Sequence, residues 1–338
     1  MKQYLVWILG LAISALLSFS SISLAEEGEW MKKADMLIPR LFFSTGAANG
    51  MIYAIGGTLA DPIATVEAYH PATDKWTPKT DMPTARAGTS VSVVNGKIYV
   101  IGGWTKDQPA ITTVEEYDPV TDTWRRRANM PTNRVFFSTA SVNGKIYAIG
   151  GIATNFGPVL PAVEEYHPAI DQWSAKAAMP NPRAGMTAAA VNGKIYVIGG
   201  TPAVQGPVVS TVEEYDPVAD TWTKKMDMLT ARTALAIGIV DERIYAIGGT
   251  PAVQGPGLAT VEIYDPTSDK WTPNIDMPTA RVFLGADVVD GKIYAIGGVA
   301  EGLGPAILLT VEEFDVGGLR VDAKGKHPTS FGKIKTDD

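Results

Sequence analysis

A short alternating pattern of aliphatic and aromatic residues recurs six times along the chain and ends each time at a pair of glycines. The copies read MIYAIGG at 51–57, KIYVIGG at 97–103, KIYAIGG at 145–151, KIYVIGG at 194–200, RIYAIGG at 243–249 and KIYAIGG at 292–298. Ile and Tyr at alternating positions favour a pleated strand packed on both faces. Glycine then provides backbone freedom where a side chain would block a neighbouring chain. Six copies predict six structural units.

Each copy lies in a longer unit whose constant spacing predicts four short strands. A strand of small residues, such as AGTSVSVV at 87–94, precedes the IYxIGG strand, and in five of the six copies an Asn-Gly or Asp-Gly turn joins the two. This turn is the strongest short-range signal for a hairpin. A third strand of the form VEEYDP follows, and in five copies a tryptophan lies seven residues beyond the tyrosine. The tryptophans are Trp76, Trp124, Trp173, Trp222 and Trp271.

Four-stranded units that recur every 46–49 residues are typical of a β-propeller. The glycine pair after hydrophobic residues, the tyrosine and the tryptophan at fixed distance together resemble the kelch family, over about residues 29–316. We therefore expect an all-β protein, a six-bladed β-propeller of kelch type with four antiparallel strands per blade. Small residues in the first strand fit the crowded axis, whereas Tyr and Trp fill the wider outer space between blades.

The spacing also predicts how the ring closes. In the sixth copy Phe314 takes the place of the tyrosine, and Val321 stands where the tryptophan is expected. Trp30 precedes Arg40 by ten residues, the same separation as in every other copy. We therefore predict that residues 26–36 supply the outer strand of blade six and cover an otherwise exposed edge.

The two ends of the chain differ from the repeats. Lys2, an apolar run at 5–17 and the small residues of Ser23-Leu24-Ala25 resemble a secretory signal. The apolar run is shorter than the roughly 20 residues that a membrane span needs. We expect an exported, periplasmic or secreted monomer without a membrane span after cleavage. The predicted regions are a signal peptide, the propeller and a polar tail, at 1–25, 26–316 and 317–338.

Composition excludes several kinds of partner and chemistry. The formal net charge of −7 disfavours nucleic acid, which requires a basic surface. The chain has no cysteine, so disulfides, thiol catalysis and thiolate metal sites are excluded, as is the cofactor of the copper oxidases that have kelch-like propellers. The three histidines lie far apart, at His70, His167 and His327, without the spacing of metal ligands. We predict no metal and no cofactor.

One arginine per unit stands 16 residues before the first glycine of the pair: Arg40, Arg86, Arg134, Arg183, Arg232 and Arg281. The resemblance to kelch proteins implies that these arginines lie near the mouth of the central channel. They could form a ring that binds acidic ligands, because guanidinium suits forked carboxylate recognition. They could instead pair structurally with the glutamates that recur in step, Glu67, Glu115, Glu164, Glu213, Glu262 and Glu312.

Variation in repeat length is confined to the loop after the glycine pair. From its first glycine to the tyrosine position the distance grows from 13 residues in the first copy to 17 in the last. Variable loops on a rigid framework are where binding residues are usually found. The candidates are Trp104, Lys106, Asp107, Asn155, Phe156, Gln205, Gln254 and Glu301. The alternative is that they are exposed residues without a ligand.

These features predict an exported binding module that recognises a protein or a glycan through its loops and the channel mouth. The alternative is a sugar-active enzyme resembling the exported kelch-type sialic acid epimerases. Such an enzyme would need a carboxylate with a perturbed pKa at the channel mouth. Asp107 and Glu301 are the first candidates, although neither lies in a motif that matches the family.

Overall fold

The computed structural model describes residues 28–154, 157–300 and 306–316. In these residues 24 strands form six separate four-stranded antiparallel sheets, the blades of a propeller, and one 3-10 turn spans Pro71–Thr73. The predicted fold class is confirmed. The signal-like segment and the tail lie outside the described residues.

In blades one to five the strands are hydrogen-bonded in chain order from the axis outward. Blade one contains β2 (Ser44–Ala48), β3 (Met51–Ile55), β4 (Val66–His70) and β5 (Lys75–Lys79). Blade two contains β6 (Ser90–Val94), β7 (Lys97–Ile101), β8 (Val114–Asp118) and β9 (Thr123–Arg127). Blade three contains β10 (Ser138–Val142), β11 (Lys145–Ile149), β12 (Val163–His167) and β13 (Gln172–Lys176).

Blades four to six repeat the same plan. Blade four contains β14 (Thr187–Val191), β15 (Lys194–Ile198), β16 (Val212–Asp216) and β17 (Thr221–Lys225). Blade five contains β18 (Ala236–Val240), β19 (Arg243–Ile247), β20 (Val261–Asp265) and β21 (Lys270–Pro273). Blade six contains β22 (Gly285–Val289), β23 (Lys292–Ile296), β24 (Val311–Asp315) and, as its outer strand, β1 (Glu29–Lys33).

The N-terminal strand closes the ring as predicted. β1 runs antiparallel to β24, and Trp30 lies opposite Phe314 with ring centroids 5.0 Å apart. This is the position that Trp222 takes opposite Tyr215 in blade four. Closure therefore pairs the outer edge of β24, which would otherwise be exposed.

The first two strands of every blade are joined by a two-residue turn with both residues in the left-handed region. Asn49 and Gly50 have φ of +52° and +72°, and the equivalent Asn-Gly or Asp-Gly pairs are similar. This is the type I′ hairpin that the sequence predicts. Blade five differs, because Glu242 adopts φ of +61° where the other blades have glycine.

The core is divided among the interfaces between neighbouring blades. One cluster joins Tyr147 and Ile149 of blade three to Ile195, Val197 and Tyr215 of blade four, all of them buried. Equivalent clusters follow around the ring. Every blade therefore depends on both of its neighbours for burial of its apolar side chains.

A hydrogen-bonded bridge joins neighbouring blades near the outer rim. Asp220 of blade four accepts hydrogen bonds from the Tyr215 hydroxyl at 2.5 Å and from the Ala177 amide, just after blade three, at 2.8 Å. The Trp222 indole donates to the Ala177 carbonyl at 3.0 Å. We call this the tyrosine–aspartate bridge. Its other aspartates are Asp74, Asp122, Asp171 and Asp269.

The joint between blades five and six is built differently. Phe314 stands in the position of the tyrosine and has no hydroxyl to donate. The Trp30 indole keeps its hydrogen bond, to the Ile275 carbonyl at 3.2 Å. Within the described residues, this joint therefore lacks the tyrosine–aspartate bridge. The described part of the chain contains no helix long and apolar enough to cross a membrane.

Candidate functional site

Each of the six arginines is buried and fixed in a network of acceptors. Arg40 has no exposed surface; it donates to the Gly56 and Thr65 carbonyls, both at 2.9 Å, and to the Glu67 carboxylate at 2.8 Å. The same pairing occurs in every blade, with Arg183 and Glu213 in the closest contact. The arginine thus ties the end of the IYxIGG strand to the start of the third strand.

The segment before each arginine differs between blades in the group that donates a hydrogen bond to the second oxygen of the glutamate. In blades two, three and six a threonine hydroxyl donates to it at 2.6 Å, as Thr84 does to Glu115. In blade four the Asn181 amide takes this role. In blades one and five the segment has leucine in place of the first proline, and the backbone amide donates, as Leu229 does to Glu262 at 3.0 Å.

These contacts correct the expectation of an anion-binding arginine ring. Burial lowers the pKa of all six guanidinium groups, that of Arg86 to about 10, and the paired glutamate offsets part of the effect. No arginine of the ring is more than 1% exposed, so none presents its guanidinium to a ligand. The structural alternative, pairing with the six recurring glutamates, is the observed one.

The residues two positions after each arginine meet around the channel mouth, and we call them the belt. All six have φ between +52° and +64°, and amides of the belt donate to belt carbonyls of the preceding blade, for example Ala234 to Gly185 at 2.8 Å. The residue before each belt position bridges to the loop after the glycine pair. Belt and loops therefore share one end of the propeller, the loop face. The belt residues are Phe42, Gly88, Phe136, Gly185, Ala234 and Phe283.

Four aromatic rings pack together over one side of the belt. Phe42 lies 4.6 Å from Phe283, 5.3 Å from Trp104 and 5.6 Å from Phe136, measured between ring centroids and in edge-to-face geometry. Trp104 covers Gly88, where an added Cβ would lie 2.0 Å from the indole. Trp104 thus occupies the space that a belt side chain of blade two would fill.

An open cavity of about 510 Å³ occupies the other side of the loop face, above blades four and five. Gly185 and Ala234 are at its base, and the aromatic cluster forms one wall. Val204 and Val253 reach it from their loops, together with Gln254. None of the described residues that line the cavity is charged. Concave, mainly apolar pockets with few polar groups are the usual form of ligand sites.

The loop residues singled out from the sequence have different positions. Trp104 and Gln254 line the same cavity. Gln205 and Asp107 are exposed and do not line it, and Lys106 forms an exposed ion pair with Asp61 at 3.0 Å. The remaining three candidates lie outside the described residues: Asn155, Phe156 and Glu301.

Sequence analysis missed the three phenylalanines of the belt. Phe42, Phe136 and Phe283 follow their arginines at the position where the other copies carry Gly, Gly and Ala. That contrast between large and small residues at one repeat position is the signal that could have identified them.

The central channel forms a second cavity, of about 480 Å³, between the innermost strands. Serine and threonine side chains line much of it, and Asp287 is the one charged residue among the described lining. Oδ1 of Asp287 accepts from the Ala47 amide at 3.1 Å, whereas Oδ2 is buried without a hydrogen-bond partner. Burial raises the pKa of Asp287 from 3.8 to about 6.

Comparison with known proteins gives the family and the fold. The model of the KLHDC2/KLHL20/DRC7 Kelch-repeats domain matches residues 42–249, and the Kelch motif matches residues 231–273. No curated protein matches the chain. The solved structure titled "Structure of YjhT" has a TM-score of 0.72 at 17% identity, covering 82% of this chain and 95% of that one.

Because 946 solved chains resemble this fold, structural similarity does not select a function. The first family model, in contrast, spans more than half of the sequence. The chain belongs to the kelch-repeat family.

Proposed function

We propose that the protein is an exported interaction module that binds a segment of a partner protein in the cavity of the loop face. The observation that carries this proposal is the asymmetric, uncharged cavity beside the aromatic cluster. Buried aromatic and aliphatic pockets near the centre of an interface provide most of the binding energy in protein complexes. Membership of the kelch-repeat family supports the same class of function.

The chemistry of the cavity favours a protein segment over a glycan. The Thr201, Thr233 and Thr250 hydroxyls already donate to backbone carbonyls, at 2.5, 3.0 and 2.8 Å. A sugar presents hydroxyls over most of its surface, and the three threonine oxygens, which can still accept, would pair only a few of them. Burying the other sugar hydroxyls without partners is costly. An apolar side chain makes no such demand.

The arrangement gives little support to the enzyme alternative. Acid–base chemistry on a sugar acid needs a carboxylate and a cation within reach of the substrate. The six arginines are buried in ion pairs, and Asp107 is exposed outside the cavity. The other candidate, Glu301, lies outside the described residues and stays a prediction. Asp287 has a raised pKa, but it lies in the central channel, where it is the one charged residue of the described lining.

The test is selection of phage-displayed random peptides against the purified propeller, with a glycan array in parallel. We expect peptides with an apolar consensus that bind wild type and the Val218→Ser variant but lose affinity at least tenfold for Trp104→Ala. Val218 is the control because it is 87% exposed in the turn between β16 and β17, away from the cavity. Glycan binding without peptide binding, or turnover of sugar acids, would overturn the proposal.

Export rests on the pattern of residues 1–25 and has its own test. Expressed with this segment in a Gram-negative host, the protein should begin at Glu26 when its N-terminus is sequenced. Soluble cytoplasmic protein that retains Met1 would contradict export without affecting the proposed binding site.

A further inference from the structure

The cavity coincides with a gap in an otherwise continuous arrangement of aromatic rings. Of the six belt positions, three carry phenylalanine and a fourth, Gly88, is covered by Trp104. The two remaining positions, Gly185 and Ala234, are adjacent and carry no ring. The cavity lies above these two positions.

The strained backbone conformation of the belt indicates that its phenylalanine side chains have a function. Phe42, Phe136 and Phe283 adopt the left-handed conformation, with φ of +53°, +52° and +56°. This conformation is uncommon for a bulky residue and persists only where the surroundings enforce it. Glycine would adopt it without strain, as Gly88 and Gly185 do. The phenylalanines therefore remain despite an unfavourable backbone, and their rings flank the gap from blades three and six.

We infer that an aromatic side chain of the partner segment occupies this gap and completes the ring of aromatics, an inference that rests on the proposed function. The cluster already packs with centroid distances of 4.6–5.6 Å in edge-to-face geometry, the arrangement that aromatic pairs favour. A partner ring above Gly185 and Ala234 extends the same packing.

The polar groups of the cavity refine the choice of ring. The Thr201, Thr233 and Thr250 hydroxyls donate to backbone carbonyls, so that each oxygen retains only the capacity to accept. The described lining has no charge, and its remaining polar side chain, Gln254, can both donate and accept, so a neutral ring that carries a donor at its edge satisfies the cavity. Tryptophan and tyrosine meet both conditions, whereas leucine meets neither the shape nor the donor requirement.

Ala234 is the residue that determines this specificity. Its φ of +53° equals that of Phe42, so a phenylalanine at 234 fits the same backbone. Gly185 cannot be filled in this way, because an added Cβ would lie 2.4 Å from the Thr233 hydroxyl. Ala234→Phe therefore fills the gap with the protein's own ring.

The experiment measures binding of N-acetyl-tryptophanamide, N-acetyl-tyrosinamide and N-acetyl-leucinamide by ligand-observed NMR. We expect both aromatic amides to bind wild type at least fivefold more tightly than leucinamide. In Ala234→Phe their affinity should fall at least tenfold with no decrease in melting temperature, while Ala234→Ser binds as wild type does. Val253→Phe, in an exposed loop at the cavity, provides a second blocking variant should Ala234→Phe fail to fold.

Equal binding of leucinamide, or unchanged binding of aromatic amides in both blocking variants, would overturn the inference. The proposed function would survive that result if selected peptides still bound through aliphatic residues. If free indole binds wild type while no peptide does, the aromatic site is a small-molecule site and the proposed protein partner is wrong.

Discussion

Each blade buries one guanidinium and one carboxylate. The residues around them differ in which group donates a second hydrogen bond to the carboxylate. Arg86 and Arg134 lie opposite Glu115 and Glu164 at 2.9 and 2.7 Å. Such a pair is a poor source of net stability, since desolvation offsets the attraction, but breaking it leaves an uncompensated buried charge. The pair therefore acts to fix the geometry of the glycine-rich end of each blade.

Arg183→Ala should reduce the free energy of unfolding by about 3–5 kcal/mol, because Glu213 remains buried without its counter-charge. The double variant Arg183→Met with Glu213→Leu removes both charges and should recover most of the loss. Urea unfolding of the three proteins provides the measurement. A stable single variant that loses affinity for an acidic ligand would instead restore the arginines as a binding ring.

The raised pKa of Asp287 predicts that the stability of the protein depends on pH. Its pKa rises from 3.8 to about 6 in the folded protein, so the folded state holds this proton more tightly than the unfolded state. The contribution to stability is complete below pH 4 and is lost as the pH rises through 6. Asp287→Asn should therefore be more stable than wild type at pH 7.5, by about 2–3 kcal/mol, and equal to it near pH 4. Thermal unfolding at several pH values tests this, and parallel pH profiles for the two proteins would contradict it.

Glu242 occupies a turn position that the other five blades give to glycine. Its φ of +61° is unfavourable for a residue with a Cβ, so Glu242→Gly should stabilise the protein by about 1 kcal/mol. The matched control is Gly193→Ala in blade four, where φ is +75° and no atom lies within 4 Å of the added Cβ. That variant should lose stability by a similar amount in the same unfolding assay. A Glu242→Gly variant that loses stability would show that side-chain contacts, not the backbone, control this turn.

At the scale of strands, the four-stranded plan and its closure were predictable because they depend on spacing. The constant separation of tyrosine and tryptophan identifies strands three and four, and the Trp30–Arg40 separation identifies β1. The role of the arginines was not predictable, since a repeated arginine and a repeated glutamate fit binding and burial equally well. Only burial in the folded blade separates the two.

β1 should contribute as much stability as an internal outer strand. Trp30 contacts Phe314 and donates to the Ile275 carbonyl, just as Trp222 contacts Tyr215 and donates to Ala177. Trp30→Ala and Trp222→Ala should each reduce the free energy of unfolding by about 3 kcal/mol. Trp30→Phe, which keeps the ring but not the hydrogen bond, should cost about 1 kcal/mol. A silent Trp30→Ala beside a costly Trp222→Ala, in urea unfolding, would refute closure by β1.

At the scale of the whole molecule, ring closure creates the candidate site. Phe42 and Phe283 are far apart in the sequence and begin equivalent inner strands, yet their rings lie 4.6 Å apart because the first and last blades meet. In the sequence each phenylalanine resembles the hydrophobic start of a strand. The belt backbone is left-handed at these positions, but the residue is phenylalanine and not glycine, so the sequence gives no sign of that conformation. Only Trp104 and Gln254, in loops of variable length, were accessible to sequence reasoning.

The pairing of β1 with β24 also sets when the fold can be completed. β1 is the first described strand to be synthesised, and its partner, Val311–Asp315, is the last. The ring therefore stays open, with an unpaired strand at its start, until almost the entire propeller has left the ribosome. Contacts between distant parts of a chain form slowly, and unpaired strand edges associate with other chains while they wait. The growing chain is thus most prone to misassembly just before β1 and β24 pair.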